Sequence, residues 1–289
     1  MNARLMDDET EAARIRHYLE TGEADLDPRE WPGVNIFEQG RNQHAALSGA
    51  LIAEVRRRSV NAVPPPLPPG LDLAAFTRDR VAPMVDGLFP AAGRPPVMRL
   101  LERAVVFLTS ATIADVLTAQ RWPHTAWQLA NLYLGSLGRA GLDGQPAGVV
   151  GLSQETTWYL SLTYFTEPDP FADFLVHETA HIFHNWKREY VGLPHTRTRE
   201  WLLDIGFRWR ETFAYACEGY SRIRTLGGTR RGRAQLLDKY TATALPSDEH
   251  VDSTELVDIL REALEVRNGW ARIRARCAPD KPARRTTRP

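Results

Sequence analysis

Two histidines and a glutamate at helical spacing are the residues of this chain best suited to chemistry. His177 and His181 stand four residues apart, which places them about 40° apart around a helix axis, so both imidazoles can reach one ion. Glu178 directly follows the first histidine, and its carboxylate can hydrogen-bond a water held by that ion. The run from His177 to His181 therefore predicts two zinc ligands and a general base on one helix.

Glu211 is the best candidate for the third protein ligand that a catalytic zinc site needs. It follows His181 by 30 residues (211 − 181) and stands among small and aromatic residues, which predict a buried helix face. A buried carboxylate needs a cation or a metal beside it. The alternative partner is one of the many arginines of the chain. Asp204 and Glu200 are weaker choices for the third ligand.

Two further polar residues are placed to support the ligands rather than to bind the ion. His184 follows His181 by three residues on a continuing helix, where a single ion is hard to share. We expect His184 to support a ligand or to be partly exposed. Glu218 lies two helical turns beyond Glu211 on the same face, and it can orient a ligand histidine.

The motif, taken with the distant glutamate, resembles the gluzincin branch of the zincin-like metallopeptidases. The resemblance covers about residues 148–226, and the glycine turn that leads metzincins to a third histidine is missing from the sequence. It implies that His177, His181 and Glu211 bind Zn²⁺ in a hydrolase that cleaves a peptide or amide bond. Glu178 would take a proton from the zinc-activated water and return it to the leaving amine.

The same resemblance implies two further parts of a catalytic cleft. In gluzincins the edge strand before the motif helix usually holds the extended substrate, which would make residues 156–165 a wall of the cleft. A side chain must also stabilise the oxyanion, and Tyr215, Tyr220 and His195 have the right chemistry. Each of these three side chains has an alternative role in packing or at the surface.

The pattern of apolar residues predicts an α+β fold that is predominantly helical, with a small antiparallel sheet and a helical N-terminal region. The resemblance adds a zincin-like core. Runs of β-branched and aromatic residues predict strands at 148–152 and 156–165, with Val105–Leu108 as a further candidate. The motif helix is expected at about 171–190 and a long helix at 199–226, with a break near Gly206. Further helices are expected at 8–20, 42–58, 72–86, 97–119, 122–138, 230–241 and 253–276.

Shifts in composition divide the chain into five consecutive regions. The segment 64–70 contains five prolines, which exclude a helix and predict a stiff connector. The basic, proline-containing C-terminus predicts disorder. The predicted regions are an N-terminal helical region at 1–63, the connector at 64–70, a helical subdomain at 71–145, a zincin-like catalytic region at 146–277 and a disordered tail at 278–289.

The composition is that of an ordinary globular protein and excludes several classes of partner. The 289 residues carry 36 acidic and 36 basic side chains, so no net field favours nucleic acid or an anionic membrane. Cys217 and Cys277 are too few for a disulfide framework. The polar N-terminus predicts no secretory signal, and the longest apolar run, 104–114, is too short to span a bilayer. We expect a cytoplasmic protein whose partner is a peptide or amide-containing substrate.

Two other functions fit the same residues. The helical N-terminal half resembles no family and would narrow the cleft to a small substrate, in a non-peptidase metalloenzyme or a metal-binding module on the same scaffold. Alternatively, His177 and His181 would only satisfy a core in a helical interaction protein without catalysis. Metal content and hydrolysis, measured together, separate these three functions.

Overall fold

The computed structural model describes residues 8–25, 27–145, 150–154, 157–197 and 199–279. The protein is 64% helical and has a three-stranded mixed sheet, which confirms the predicted α+β class. The helices are α1 Asp8–Thr21, α2 Ile36–Ser59, α3 Leu73–Leu88, α4 Arg94–Ala104, α5 Ile113–Ala119, α6 Pro123–Ser136, α7 Phe174–Asn185, α8 Arg210–Leu226, α9 Arg230–Thr243, α10 Ser253–Glu265 and α11 Gly269–Arg276. The strands are β1 Val105–Leu108, β2 Gly151–Gln154 and β3 Thr157–Ser161.

The chain divides into two compact units that are not consecutive in sequence. Unit 1 contains Met1–Pro69 and Val106–Thr166, and unit 2 contains Gly70–Val105 and Glu167–Pro289. The predicted helical subdomain at 71–145 is therefore shared between the two units. The physical reason is that α5 and α6 pack against α2 in one hydrophobic core, which joins the residues after β1 to the first part of the chain. The predicted tail lies outside the described residues from position 280 onward.

The sheet of unit 1 differs from the prediction because it is mixed rather than antiparallel, and in the length of its strands. The strand order is β1-β3-β2, and β2 runs antiparallel to β3 with Gly151 opposite Leu160. β3 ends at Ser161, and Leu162–Thr166 form a 3₁₀-helix. Because β3 lies between two paired strands, the prediction that residues 156–165 form an edge strand for an extended substrate is wrong. The strand expected at 105–108 is confirmed as β1.

A hydrophobic core fills unit 1 beneath these strands. Leu51 of α2 and Leu129 and Ala130 of α6 are fully buried in it. The hydroxyl of Tyr18 donates to the Pro123 carbonyl oxygen at 2.7 Å, so the buried ring of α1 keeps a hydrogen-bond partner. The core of unit 1 uses none of the residues that the motif supplies for chemistry.

In unit 2, α7 packs against α8, and this pair carries the candidate site. Asp173 begins α7, because its carboxylate accepts a hydrogen bond from the Val176 amide at 3.3 Å. The helix ends at Asn185, five residues before the predicted end. At Trp186 the backbone becomes extended, and the Trp186 carbonyl oxygen accepts a hydrogen bond from Leu202 at 2.8 Å. A 3₁₀-helix follows at Arg188–Val191.

The predicted helix at 199–226 begins only at Arg210. The amides of Leu202 and Leu203 donate to Trp186 and Phe183, the latter at 2.7 Å, which holds this stretch extended along the end of α7. A 3₁₀-turn at Phe207–Trp209 then leads into α8. The helices expected at 97–119 and 253–276 are each divided in two, by β1 and by residues 266–268. Among the described helices, none is long and apolar enough to cross a membrane.

Candidate metal centre

The side chains of His177, His181 and Glu211 converge between α7 and α8. The Nε2 atoms of the two histidines lie 3.2 Å apart, and the Oε2 atom of Glu211 lies 3.4 Å from the Nε2 atom of His181. Two ligand atoms that are each about 2.05 Å from one tetrahedral zinc ion stand roughly 3.3 Å apart. Both measured separations match this edge length, so His181 lies at ligand spacing from each of the other two groups.

The Glu178 carboxylate also lies beside the two motif histidines. One ligand atom from each of His177, Glu178 and His181 falls within 4.8 Å of the other two. Glu211 is not part of this group, so on distance alone Glu178 is the better candidate for the third ligand. Charge separates the two carboxylates, because the one that stays ionised is the better ligand and the one that titrates near neutral pH is the better proton carrier.

The two carboxylates have pKa values shifted in opposite directions. Burial raises the pKa of Glu178 to about 7; the positive charge of His177 opposes this shift, and the charges of Glu211 and Glu218 reinforce it. The hydrogen bond with His181 holds the pKa of Glu211 below its usual value, against the effect of burial. By charge, Glu211 is therefore the better candidate for a ligand and Glu178 the better candidate for a proton carrier.

Glu218 fixes the orientation of His177. Its Oε2 atom lies 3.2 Å from the Nδ1 atom of His177, and its Oε1 atom accepts a hydrogen bond from the Asp173 amide at 2.6 Å. Since a carboxylate accepts, His177 donates from Nδ1 and presents the lone pair of Nε2 to the site. Arg80 pairs with the fully buried carboxylate of Asp173 and so holds the start of α7.

A second chain of hydrogen bonds fixes His181. The Oδ1 atom of Asn185 accepts from Arg210 Nη1 at 3.5 Å and lies 3.1 Å from His184 Nδ1, so His184 donates from that nitrogen. The Nε2 atom of His184 is then an acceptor, and it lies 3.1 Å from the Nδ1 atom of His181. His181 therefore carries its proton on Nδ1 and, like His177, presents Nε2 as a lone pair.

His184 is suited to this role because it is neutral and 97% buried (3% exposed). Burial lowers its pKa to about 3, and the positive charge of Arg210 lowers it further. The sequence analysis expected His184 to support a ligand or to be partly exposed, and the structure shows the buried, supporting arrangement.

The Nε2 lone pairs of His177 and His181 indicate which kind of ligand the centre can bind. With both histidines protonated on Nδ1, the Nε2 lone pairs of His177 and His181 face each other across 3.2 Å. Such an arrangement favours a cation between them. The pKa of His177 agrees with this: burial alone lowers it, but the hydrogen bond to Glu218 and the charges of Glu218, Glu178 and Glu211 raise it overall.

The two tyrosines predicted to stabilise an oxyanion have different positions. The ring of Tyr215 lies 4.5 Å from the ring of His177, edge to face, and burial raises the pKa of its phenol to about 12. It is a protonated donor beside the centre. Tyr220 lies nine residues after Glu211, on the opposite face of α8. It is 1% exposed and packs against Trp270, so the structure does not place Tyr220 at the site.

Other residues named from the sequence lie away from the centre. His195 is exposed and lines a separate surface hollow with Lys187 and Glu200. Asp204 lies in a pocket lined by arginines, and Glu200 pairs with Lys187 at 2.7 Å. Cys217 and Cys277 are both buried free thiols.

A cleft of about 580 Å³ opens beside the centre. It is lined by His181, His184, Asn185, Phe207, Arg208, Arg210, Glu211 and His250. His250 was not predicted from the sequence, because it stands in a loop 39 residues after Glu211 (250 − 211) with no helical register to relate the two. Asn185 and Arg210 were also missed, although both adjoin residues that the motif analysis named.

The hydrogen bond from His181 to His184 yields a testable result. We expect His184→Leu to lower the zinc affinity about 10- to 100-fold, because the residues that orient metal ligands typically contribute that much. His184→Gln restores an acceptor near the position of Nε2 and should keep most of the affinity. Competition titration with a chromophoric chelator measures both. Equal losses in the leucine and glutamine variants would contradict the orienting role.

Comparison with protein-family models, curated proteins and solved structures finds no match to this chain. The case for a function therefore rests on the geometry of the centre.

Proposed function

We propose that this protein is a zinc-dependent hydrolase of peptide or amide bonds, with a centre of the gluzincin type on a zincin-like core. The observation that carries the proposal is the pair of separations of 3.2 and 3.4 Å among His177, His181 and Glu211. Each of these separations fits two ligands of one tetrahedral ion, and a centre with three protein ligands would leave a fourth position for water or substrate.

The residues divide the work as follows. His177 and His181 would hold the ion through Nε2, and Glu211 through a carboxylate oxygen. The bound zinc would supply a Lewis acid that polarises the substrate carbonyl and activates water. Glu178 would take the proton of the attacking water and deliver it to the leaving amine, a task that suits a carboxyl whose pKa is about 7. Tyr215 would donate its hydroxyl proton in a hydrogen bond to the developing oxyanion.

Metal analysis on the purified protein tests the proposal, together with hydrolysis of a pool of short peptides. We expect about one zinc per chain in the wild type, because four-coordinate sites with three protein ligands bind a single ion. Glu211→Ala should lose most of the zinc, since it removes one of the three ligands.

Other outcomes point to the two alternatives. Zinc that is retained without hydrolysis of any peptide would favour a non-peptidase metalloenzyme or a metal-binding module. A wild-type protein that contains no zinc after growth in zinc-rich medium would contradict the proposal and favour an interaction protein.

A further inference from the structure

The cleft beside the metal centre carries more positive than negative charge. Two arginines, Arg208 and Arg210, line it, and Glu211 is the one carboxylate among its lining residues. The Glu211 carboxylate is directed at His181, 3.4 Å away, and would be neutralised by a bound cation. Among the described lining residues, Arg210 then remains as a positive charge for a ligand, which favours an anionic group of the substrate.

Arg210 stands out within this lining. Among the described residues, no carboxylate lies within ion-pair distance of its guanidinium, and its Nε atom is buried without a hydrogen-bond partner. A buried donor on a charged group is costly to leave unpaired. The one hydrogen bond of the guanidinium, from Nη1 to Asn185, is 3.5 Å long and goes to a neutral oxygen.

The guanidinium of Arg210 is also held in place for recognition. Its Cζ atom lies 5.2 Å from the centre of the Phe207 ring, and the hydrogen bond to Asn185 fixes one edge. Arginine stacked in this way keeps its remaining N–H groups free to bind a carboxylate in a fork. Phe207 itself is 85% exposed, so it offers an apolar surface next to the charge.

The position of Arg210 relates the charge to the chemistry. It precedes Glu211 at the start of α8, and the cleft that it lines is also lined by His181. A substrate bound at the metal centre would therefore extend past this guanidinium. We propose that Arg210 recognises a carboxylate of the substrate, so that the protein acts on peptides that carry an anionic group close to the scissile bond. This inference rests on the proposed hydrolase function for the scissile bond, but the carboxylate binding itself does not require turnover.

A carboxylate near a peptide bond comes either from a chain terminus or from an acidic side chain. Two pairs of N-acetylated tripeptides separate these sources. The first pair, built of alanine and phenylalanine, differs only in a free or an amidated C-terminus. The second pair is amidated and differs only in a glutamate or a glutamine at the central position.

Binding of these four peptides is measured by calorimetry on the full chain with Glu178→Gln, which prevents turnover. In that background, we expect Arg210→Ala to weaken binding of the carboxylate peptide of one pair about 10- to 100-fold, because a charge-assisted hydrogen bond is lost. Binding of the neutral peptide of the same pair should weaken less than about twofold. Arg210→Lys keeps the charge without the fork and should give an intermediate loss. Arg231→Ala removes an exposed arginine of α9 that does not line the cleft, and it should change nothing.

The outcomes separate the two proposals. The inference is overturned if charged and neutral peptides bind equally when Arg210 is present, even if the wild type hydrolyses peptides. It is also overturned if Arg210→Ala weakens the binding of both peptides of a pair equally. If the lysine variant, folded by circular dichroism, binds all four peptides like the parent, the inference is also overturned. A carboxylate preference that depends on Arg210 in a protein without zinc or hydrolysis supports the inference and contradicts the hydrolase.

Discussion

Glu178→Gln is expected to lower peptide hydrolysis by about 10²- to 10⁴-fold while the protein keeps its zinc, since this is the range that a positioned general base contributes. The amide of glutamine is similar in size to the carboxylate but cannot accept the proton of the attacking water. This variant leaves the three candidate zinc ligands, His177, His181 and Glu211, unchanged. Steady-state rates and zinc content, measured on the same preparation, check both parts of the prediction.

The control for this prediction is Glu189→Gln. Glu189 is an exposed carboxylate on the 3₁₀-helix that follows α7, and it does not line the cleft. The substitution makes the same chemical change and should leave both the rate and the zinc content unchanged. If Glu178→Gln instead loses the zinc, Glu178 is the third ligand and the division of roles between Glu178 and Glu211 is wrong.

The part of the site that the sequence predicted is the part that depends on helical spacing. His177 and His181 share a face of α7 because they are four residues apart. Glu211, Tyr215 and Glu218 share a face of α8 for the same reason, and the structure places all three beside the motif histidines. The same spacing argues against Tyr220, since nine residues amount to two and a half turns and place it opposite Glu211.

The parts that could not be predicted depend on contacts between segments distant in sequence. α8 begins later than predicted because the backbone of Leu202 and Leu203 forms hydrogen bonds with the end of α7. No residue type at 199–209 predicts these hydrogen bonds. The division into two units follows from the packing of α5 and α6 against α2, which lie more than 50 residues apart in sequence. His250 reaches the cleft through a loop, where periodicity gives no guidance.

A chelator is expected to lower the thermal midpoint of the wild-type protein by about 5–10 °C. A ligand present at roughly 1,000 times its Kd stabilises the native state by about 4 kcal/mol, and a chain of this length has an unfolding entropy of roughly 0.6 kcal/mol per kelvin. The three ligands come from α7 and α8, so the ion would tie together the two helices at the centre of unit 2. Differential scanning calorimetry with and without the chelator measures the shift.

His181→Ala turns this shift into a test of the centre itself. His181 contacts both other ligands, at 3.2 and 3.4 Å, so its loss should remove the ion and make the midpoint insensitive to chelator. His195→Ala is the matched control, because His195 is an exposed histidine of unit 2 that does not line the cleft, and this variant should respond to chelator like the wild type.

The sign of the pH dependence of the metal-linked stability follows from the same candidate ligands. Zinc and protons compete for the same ligand atoms, so the chelator-sensitive part of the stability should be present at neutral pH and fall as the pH drops. A midpoint that chelator shifts equally in the wild type and in His181→Ala would mean that the metal binds elsewhere.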